Sequence, residues 1–301
     1  MRTYRNFNRR NAWLYRNCKP LVRQYRRLQA ICKDMSFVQP ARCEIARKKK
    51  DNAFDLVQIE TVNRCINDCA FCPVNRNEDP RPFREMDRKL FESVVIQMAR
   101  IEYSGWLGLF SNNEPLLDPR LSQFAARARS MLPGAKIYIY TNGMLLTKDT
   151  FVELMQHLDY VVINNYTEDG TIIPAVHEVL AYVHRHPDYE TRVVLAVIDK
   201  QAIRDTRGGL AKNRSRCWFL RAPCALPFKQ LVIRPDGKVS LCCQDVLGAF
   251  TMGDLAHEEI MAVWRGDRYQ EVRAMIEQGR NLIPYCSNCD FYSLHHSPVP
   301  L

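Results

Sequence analysis

Between about residues 54 and 200 short apolar runs alternate with amphipathic stretches, and this alternation limits the possible folds more than any other feature of the chain. The runs are LVQIETV (56–62), WLGLFS (106–111), KIYIYT (136–141), DYVVIN (159–164) and RVVLAVI (192–198). Short and mostly rich in Val, Ile and Tyr, they read as strands buried on both faces. Asp87 is placed to cap a helix with the inward stripe Leu90, Phe91, Val94, Val95, Met98 and Ile101. Asp118 and Pro119 start the next, with Leu121, Phe124, Ala125, Ala128 and Leu132 inward. Thr147 opens a third through Leu158, and a fourth from about Thr171 stops at Pro187. Such repetition predicts an α/β fold with a parallel sheet and right-handed crossovers, either doubly wound or curled into a barrel. In both, chemistry collects at the C-terminal ends of the strands.

The two ends of the chain differ from this middle. QLVIRPDGKVSLCC (230–243) reads as a hairpin turning at Pro235, Asp236 and Gly237, and a helical stretch follows from about Glu258 to Gln278. Residues 1–50 carry 15 Lys and Arg against Asp34 and Glu44, or +13, so the other 251 residues sum to −3 of the total +10. That charge belongs to an N-terminal arm in which Arg alternates with Tyr, Trp and Phe, and Pro20 interrupts any single helix through it. The arm either packs its aromatics on the body or meets an anionic partner by peripheral contact with a membrane lipid, a carrier-linked sugar, a peptide or a nucleic acid. No run of 18 apolar residues and no signal-peptide core are present, so the expected location is cytoplasmic. The expected segments are an arm (1–51), a core (52–215) and a C-terminal part (216–301).

Twelve cysteines without an export signal argue for metal or catalytic use over disulfides. The run NRCINDCAFCP (63–73) follows the first strand and holds Cys65, Cys69 and Cys72. Three thiolates are one short of the tetrahedral set that zinc prefers. On a cluster of four irons, three would leave one iron open to an outside ligand.

CINDCAFC matches the C-x3-C-x2-C signature of the radical S-adenosylmethionine (SAM) superfamily, and the chain resembles that family from about residue 54 to 291. The resemblance implies a partial (β/α)6 TIM-like barrel in which Cys65, Cys69 and Cys72 hold a [4Fe–4S] cluster. The fourth iron would take SAM, and reduction would yield a 5′-deoxyadenosyl radical that abstracts hydrogen from a substrate carbon. Phe71 is the aromatic that the family places before the last cysteine. SNNEP (111–115) is similar to the family's Gly-Gly-Glu-Pro segment, which implies that Glu114 accepts from the methionine ammonium while Asn112 and Asn113 replace the glycines. YTNGM (140–144) would place Thr141 and Asn142 near the ribose, and VINNY (162–166) would place Asn164 near the same nucleoside.

The C-terminal part resembles the SPASM/twitch extension of these enzymes. Cys224, Cys242, Cys286 and Cys289 would hold a second, auxiliary [4Fe–4S] cluster, within a small hairpin-and-helix domain. A four-thiolate zinc site is the competing reading of the same residues. Cys217 and Cys243 lie close to these ligands in sequence and are candidate hydrogen donors; Cys18, Cys32 and Cys43 read as inert thiols. DTRGGLAKN (205–213) resembles a loop that relatives place near substrate, making Arg207 a candidate anion clamp.

The resulting expectation is a radical SAM oxidoreductase acting on a sugar, cyclitol or glycan-like small molecule, most simply by oxidising an alcohol with the auxiliary cluster as electron acceptor. A flavodoxin or ferredoxin would supply the low-potential electron. Two alternatives stay open: a radical epimerase using a cysteine hydrogen donor, and a peptide-modifying enzyme whose arm recruits its precursor. A nucleic-acid-binding protein without chemistry is disfavoured, because it leaves Glu114, Asn142 and Asn164 unexplained.

Overall fold

The five apolar runs form five adjacent parallel strands, joined by four helices. The computed structural model describes residues 1–6, 19–201, 205–212, 222–292, 294 and 297–299. In chain order the middle comprises β2 (Leu56–Ile59), α2 (Arg88–Arg100), β3 (Trp106–Gly108), α3 (Leu121–Met131), β4 (Lys136–Thr141), α4 (Lys148–Met155), β5 (Tyr160–Thr167), α5 (Pro174–His184) and β6 (Val193–Asp199), preceded by β1 (Arg2–Asn6) and α1 (Lys19–Asp51). After it come β7 (Gln230–Ile233), β8 (Lys238–Ser240), β9 (Thr251–Asp254), α6 (Ile260–Arg265) and α7 (Asp267–Gln278). All nine strands lie in one unclosed sheet, ordered β1-β6-β5-β4-β3-β2-β7-β8-β9. It is parallel from β1 to β7 and antiparallel across β8 and β9.

Caps and breaks follow local chemistry. Asp87 accepts from Lys89 N and Leu90 N and caps α2, and Thr147 does the same for α4 through Thr150 N. The expected start at Asp118 is corrected: its carboxylate is taken by Arg120, through N at 2.9 Å and Nε at 2.8 Å, and α3 begins at Leu121 with no side-chain cap. Gly266 splits the stretch expected as one helix into α6 and α7. Pro20 sits in the first turn of α1, where a missing N–H costs nothing, and Pro40 lies inside that helix.

Period-two alternation gives the sheet two different faces. Ile59, Leu107, Ile137, Ile139, Val161, Ile163 and Leu195 pack under the helices, while Trp106, Tyr138, Val162 and Val194 form a smaller cluster completed by Phe110 and, from the C-terminal tail, Val299. The ends of the chain are part of this architecture. At the β6 end of the sheet the N-terminal β1 pairs with β6 in parallel and covers its edge. The C-terminal hairpin likewise extends the same sheet by pairing β7 with β2. The arm helix α1 packs on the body through Ala41, Glu44, Ile45 and Lys48, spaced three, one and three residues apart, as a helical face requires.

Candidate active site

The loop after β2 runs from Glu60 to Met86 and is fixed by buried charges. Arg81 lies 3.3 Å from Glu60 and 2.9 Å from Asp79, and donates to the main-chain oxygens of Asn63 and Asn112 at 3.2 and 3.0 Å. It thereby ties the three-cysteine loop to the SNNEP segment after β3. Burial pushes the Glu60 carboxyl up to about 7, with Arg81 opposing it. Within the loop, Asn75 donates to Cys72 O at 2.8 Å, and Ala70 N donates to Lys200 O just beyond β6 at 3.1 Å. Cys69 is buried, Cys65 and Cys72 partly so, and burial pushes the Cys65 thiol up to about 12.

Beside this loop the ends of β3 and β4 are locked together. Glu114, 1 % exposed, accepts from Thr141 Oγ1 at 2.6 Å, from Asn142 N at 2.7 Å and from Leu116 N at 3.2 Å. Burial pushes it up to about 7 against those three donors. Asn142 Oδ1 accepts from Met144 N at 2.9 Å, and its Nδ2 lies 3.9 Å from Cys65 Sγ. Phe71 is buried against Tyr166, with ring centroids 5.8 Å apart.

These groups meet at one cavity of about 370 Å³. Cys65, Cys69, Cys72, Phe71, Thr141, Asn142 and Asn164 line it, as do Arg207 and Cys243 from the later part of the chain. Glu114 does not line it and stands behind Thr141 and Asn142 as a brace. Cys217 lies outside the described residues.

The Arg207 loop is docked on the segment that carries Cys286 and Cys289. Thr206 N donates to Asp290 Oδ1 at 2.7 Å, and Thr206 Oγ1 donates to Asn288 O. Gly208, at φ +64°, lies against Tyr285 so closely that a Cβ would stand 2.1 Å from its ring. Arg207 itself adopts φ +48°, a conformation rare outside glycine, and its Nε is 3.6 Å from Asp205 Oδ1. The carboxylate and nearby cysteine sulfurs hold its guanidinium above the ordinary range, against burial, so it stays charged.

Residues that sequence reasoning passed over form the cavity's polar floor. Gln230 Nε2 donates to Gln58 Oε1 at 3.3 Å, Ser111 Oγ donates to the same atom at 3.4 Å, and Cys243 N donates to Gln230 Oε1 at 3.1 Å. Asn112 Nδ2 donates to Cys243 O at 3.1 Å. Tyr138, Tyr140, Lys229, Ser297 and Pro298 complete the walls, and Tyr140 donates to Pro298 O at 2.7 Å. A signal for two of them was available: Gln58 and Gln230 are amides inside otherwise apolar strands, and a buried amide needs partners.

The four later cysteines gather behind this cavity. Cys242, Cys286 and Cys289 are buried and Cys224 partly so, and the Cys242 thiol is pushed far up by burial, then by Cys243 and the other three. Among the described residues no three His, Cys, Asp or Glu side chains converge on one ion-sized point. A four-iron cluster does not ask for that, because each thiolate binds a separate iron. The donor chemistry fits: three soft sulfurs open to a cavity, and four enclosed ones.

Two family models match the chain. Residues 59–193 match the model of the radical SAM superfamily, and residues 224–290 match that of an iron-sulfur cluster-binding domain, SPASM. The chain is 25 % identical over 246 residues to an S-adenosyl-L-methionine-dependent 2-deoxy-scyllo-inosamine dehydrogenase from Niallia circulans, covering 81 % of this chain and 96 % of that protein. Its fold is similar to that of BtrN in complex with AdoMet and 2-DOIA, at a TM-score of 0.66, 22 % identity, and coverage of 81 % and 98 % of the two chains. It is also similar to BtrN in an open conformation, at a TM-score of 0.60, 23 % identity and coverage of 79 % and 92 %.

Proposed function

The chain belongs to the radical SAM superfamily and carries a SPASM-type cluster-binding domain, and on that premise we propose that this oxidoreductase converts a secondary alcohol of a cyclitol or aminocyclitol to a ketone. SAM and two [4Fe–4S] clusters are its cofactors. In this reading Cys65, Cys69 and Cys72 hold the SAM-binding cluster, and Cys224, Cys242, Cys286 and Cys289 hold the auxiliary one. When bound, these groups would supply a hydrogen-abstracting radical and a one-electron acceptor. The observation that carries the proposal is the single cavity that touches all three loop cysteines and also Cys243, the neighbour of Cys242.

The chain's own residues have distinct tasks. Phe71, Thr141, Asn142 and Asn164 would hold the nucleoside end of SAM, with Glu114 fixing Thr141 and Asn142 from behind. Gln58, Gln230 and Ser111 give alternating donors and acceptors suited to the hydroxyls of a small polyol. Tyr138 and Tyr140 give flat walls against its ring and exclude water. Arg207 is a fixed cation at the same cavity, suited to an oxygen that gains negative charge as its proton leaves. A substrate of this kind matches the relative that is a 2-deoxy-scyllo-inosamine dehydrogenase. The test is turnover of a cyclitol panel by the reduced enzyme, with ketone formed in step with consumption of SAM. No 5′-deoxyadenosine with any polyol would contradict it.

One observation favours a second reading, radical epimerisation. The Cys243 thiol lines the cavity, where it could return a hydrogen atom to a substrate carbon. Solvent deuterium at one inverted carbon, lost in Cys243→Ala, would replace the dehydrogenase reading with this one.

A further inference from the structure

Arg280 is a buried charge that the proposed reaction leaves without a task. It is 2 % exposed and follows α7. Its Nε donates to Ala222 O at 2.8 Å, its Nη1 to Cys289 O at 2.9 Å and Phe291 O at 3.0 Å, and its Nη2 to Pro223 O at 3.4 Å. These acceptors are neutral carbonyls, and they belong to the two segments that carry Cys224 and Cys289. The guanidinium face lies 4.7 Å from the centre of the Tyr292 ring.

A second observation links this charge to the N-terminal arm. Tyr292 donates its hydroxyl to Asp34 Oδ1 at 2.6 Å, and Ala222 N lies 3.2 Å from both oxygens of Asp34. Asp34 belongs to α1 and is 3 % exposed, and the ring of Phe37, one turn on, lies 4.4 Å from that of Tyr292. Thus a cation and, beyond one aromatic ring, an anion from the arm are both fixed in the low-dielectric surroundings of the four-cysteine site.

We propose that Arg280 is a positioning residue that tunes the auxiliary cluster: it clamps the Cys224 and Cys289 segments together and holds a positive charge that favours the reduced cluster, while Asp34 partly offsets that charge. The inference rests on the four-cysteine reading above. One electron, arriving from the substrate radical, adds one negative charge to the cluster without a proton. A fixed cation stabilises the more negative state and raises the reduction potential, and a fixed anion lowers it.

The experiment is an EPR-monitored redox titration of the full-length reconstituted chain carrying Cys65→Ala, Cys69→Ala and Cys72→Ala, in which only the auxiliary cluster remains. Adding Arg280→Gln is expected to shift its midpoint to lower potential, Asp34→Asn to higher potential, and Arg280→Lys by less than Arg280→Gln. Opposite signs at two sites are something a merely structural role would not produce. If Arg280→Gln loses its iron, Asp34→Asn decides, since asparagine can still accept from Tyr292 and Ala222. Unchanged midpoints with iron retained would overturn the tuning role. No iron in the parent triple variant would overturn the four-cysteine reading, and the inference with it.

Discussion

The three-cysteine loop and the four-cysteine site use the same ligand in opposite ways. The loop is held by Arg81, Glu60 and Asp79, and all three of its cysteines line the cavity. The four-cysteine site contributes none of its candidate ligands to the cavity wall and is closed over by Arg280, Tyr292 and, from the arm, Asp34. The difference teaches that a site open to the cavity can exchange a ligand, whereas an enclosed one can only exchange electrons.

The sharpest break in this comparison is chemical. Cys286→Ala or Cys289→Ala should reduce ketone formation to background while SAM cleavage persists, read by quantifying ketone and 5′-deoxyadenosine in the same reaction. Equal loss of both products would mean that the two sites do not divide the work as described.

Next in size is the support of the open loop. Arg81→Ala leaves Glu60 buried without its ion-pair partner and Asp79 with Arg64 alone, 3.4 Å away, at a cost of about 3–5 kcal/mol. A large fall in Tm with loss of iron from the loop site is expected, and an unchanged Tm would show that the loop is held by something else.

A smaller effect belongs to Glu114 and has a definite sign. Its folded-state pKa of about 7 lies above its ordinary value of 4.5, so the folded protein binds this proton more tightly than the unfolded chain. The contribution is therefore fully present below about pH 4.5 and is lost as pH rises through about 7, by at most about 3 kcal/mol. Glu114→Gln should flatten that part of the stability–pH curve of the metal-free chain, and a slope identical to the parent's would contradict the assignment.

The smallest concerns the docking between the two regions. Gly208→Ala forces a Cβ against Tyr285 in a left-handed conformation, which should cost about 1–3 kcal/mol and move Arg207. Activity should fall more than Tm, measured by turnover and thermal unfolding on the same preparation.

Much of this was legible in the sequence, for reasons that differ by region. The core strands were readable because strands buried on both faces must be apolar throughout, and Asp87 and Thr147 announced their helices through local hydrogen bonds. Asp118 misled because its carboxylate is held by both the main-chain N and the side chain of Arg120, which lies ahead of the helix, so no N–H of α3 itself is capped. The open loop was legible because its ligands lie within one short run. The cavity floor was not, since Gln58 and Gln230 are 172 residues apart and meet only when β7 pairs with β2. The arm was opaque for a similar reason: its net charge said nothing of which residues dock, and the contacts that place it mix Asp34, Ala41, Glu44 and Ile45 with Lys48, whose partner Asp55 lies outside the arm.

The central claim is that two cysteine sets hold two four-iron clusters, one at the cavity and one enclosed away from its wall. It is tested most directly by iron, sulfide and zinc content after anaerobic reconstitution. The parent chain should hold about eight irons, falling to about four in Cys65→Ala/Cys69→Ala/Cys72→Ala and to about four in Cys224→Ala/Cys242→Ala/Cys286→Ala/Cys289→Ala. About four irons and one zinc in the parent, with the zinc lost only from the second variant, would contradict it and remove the electron acceptor from the proposed reaction.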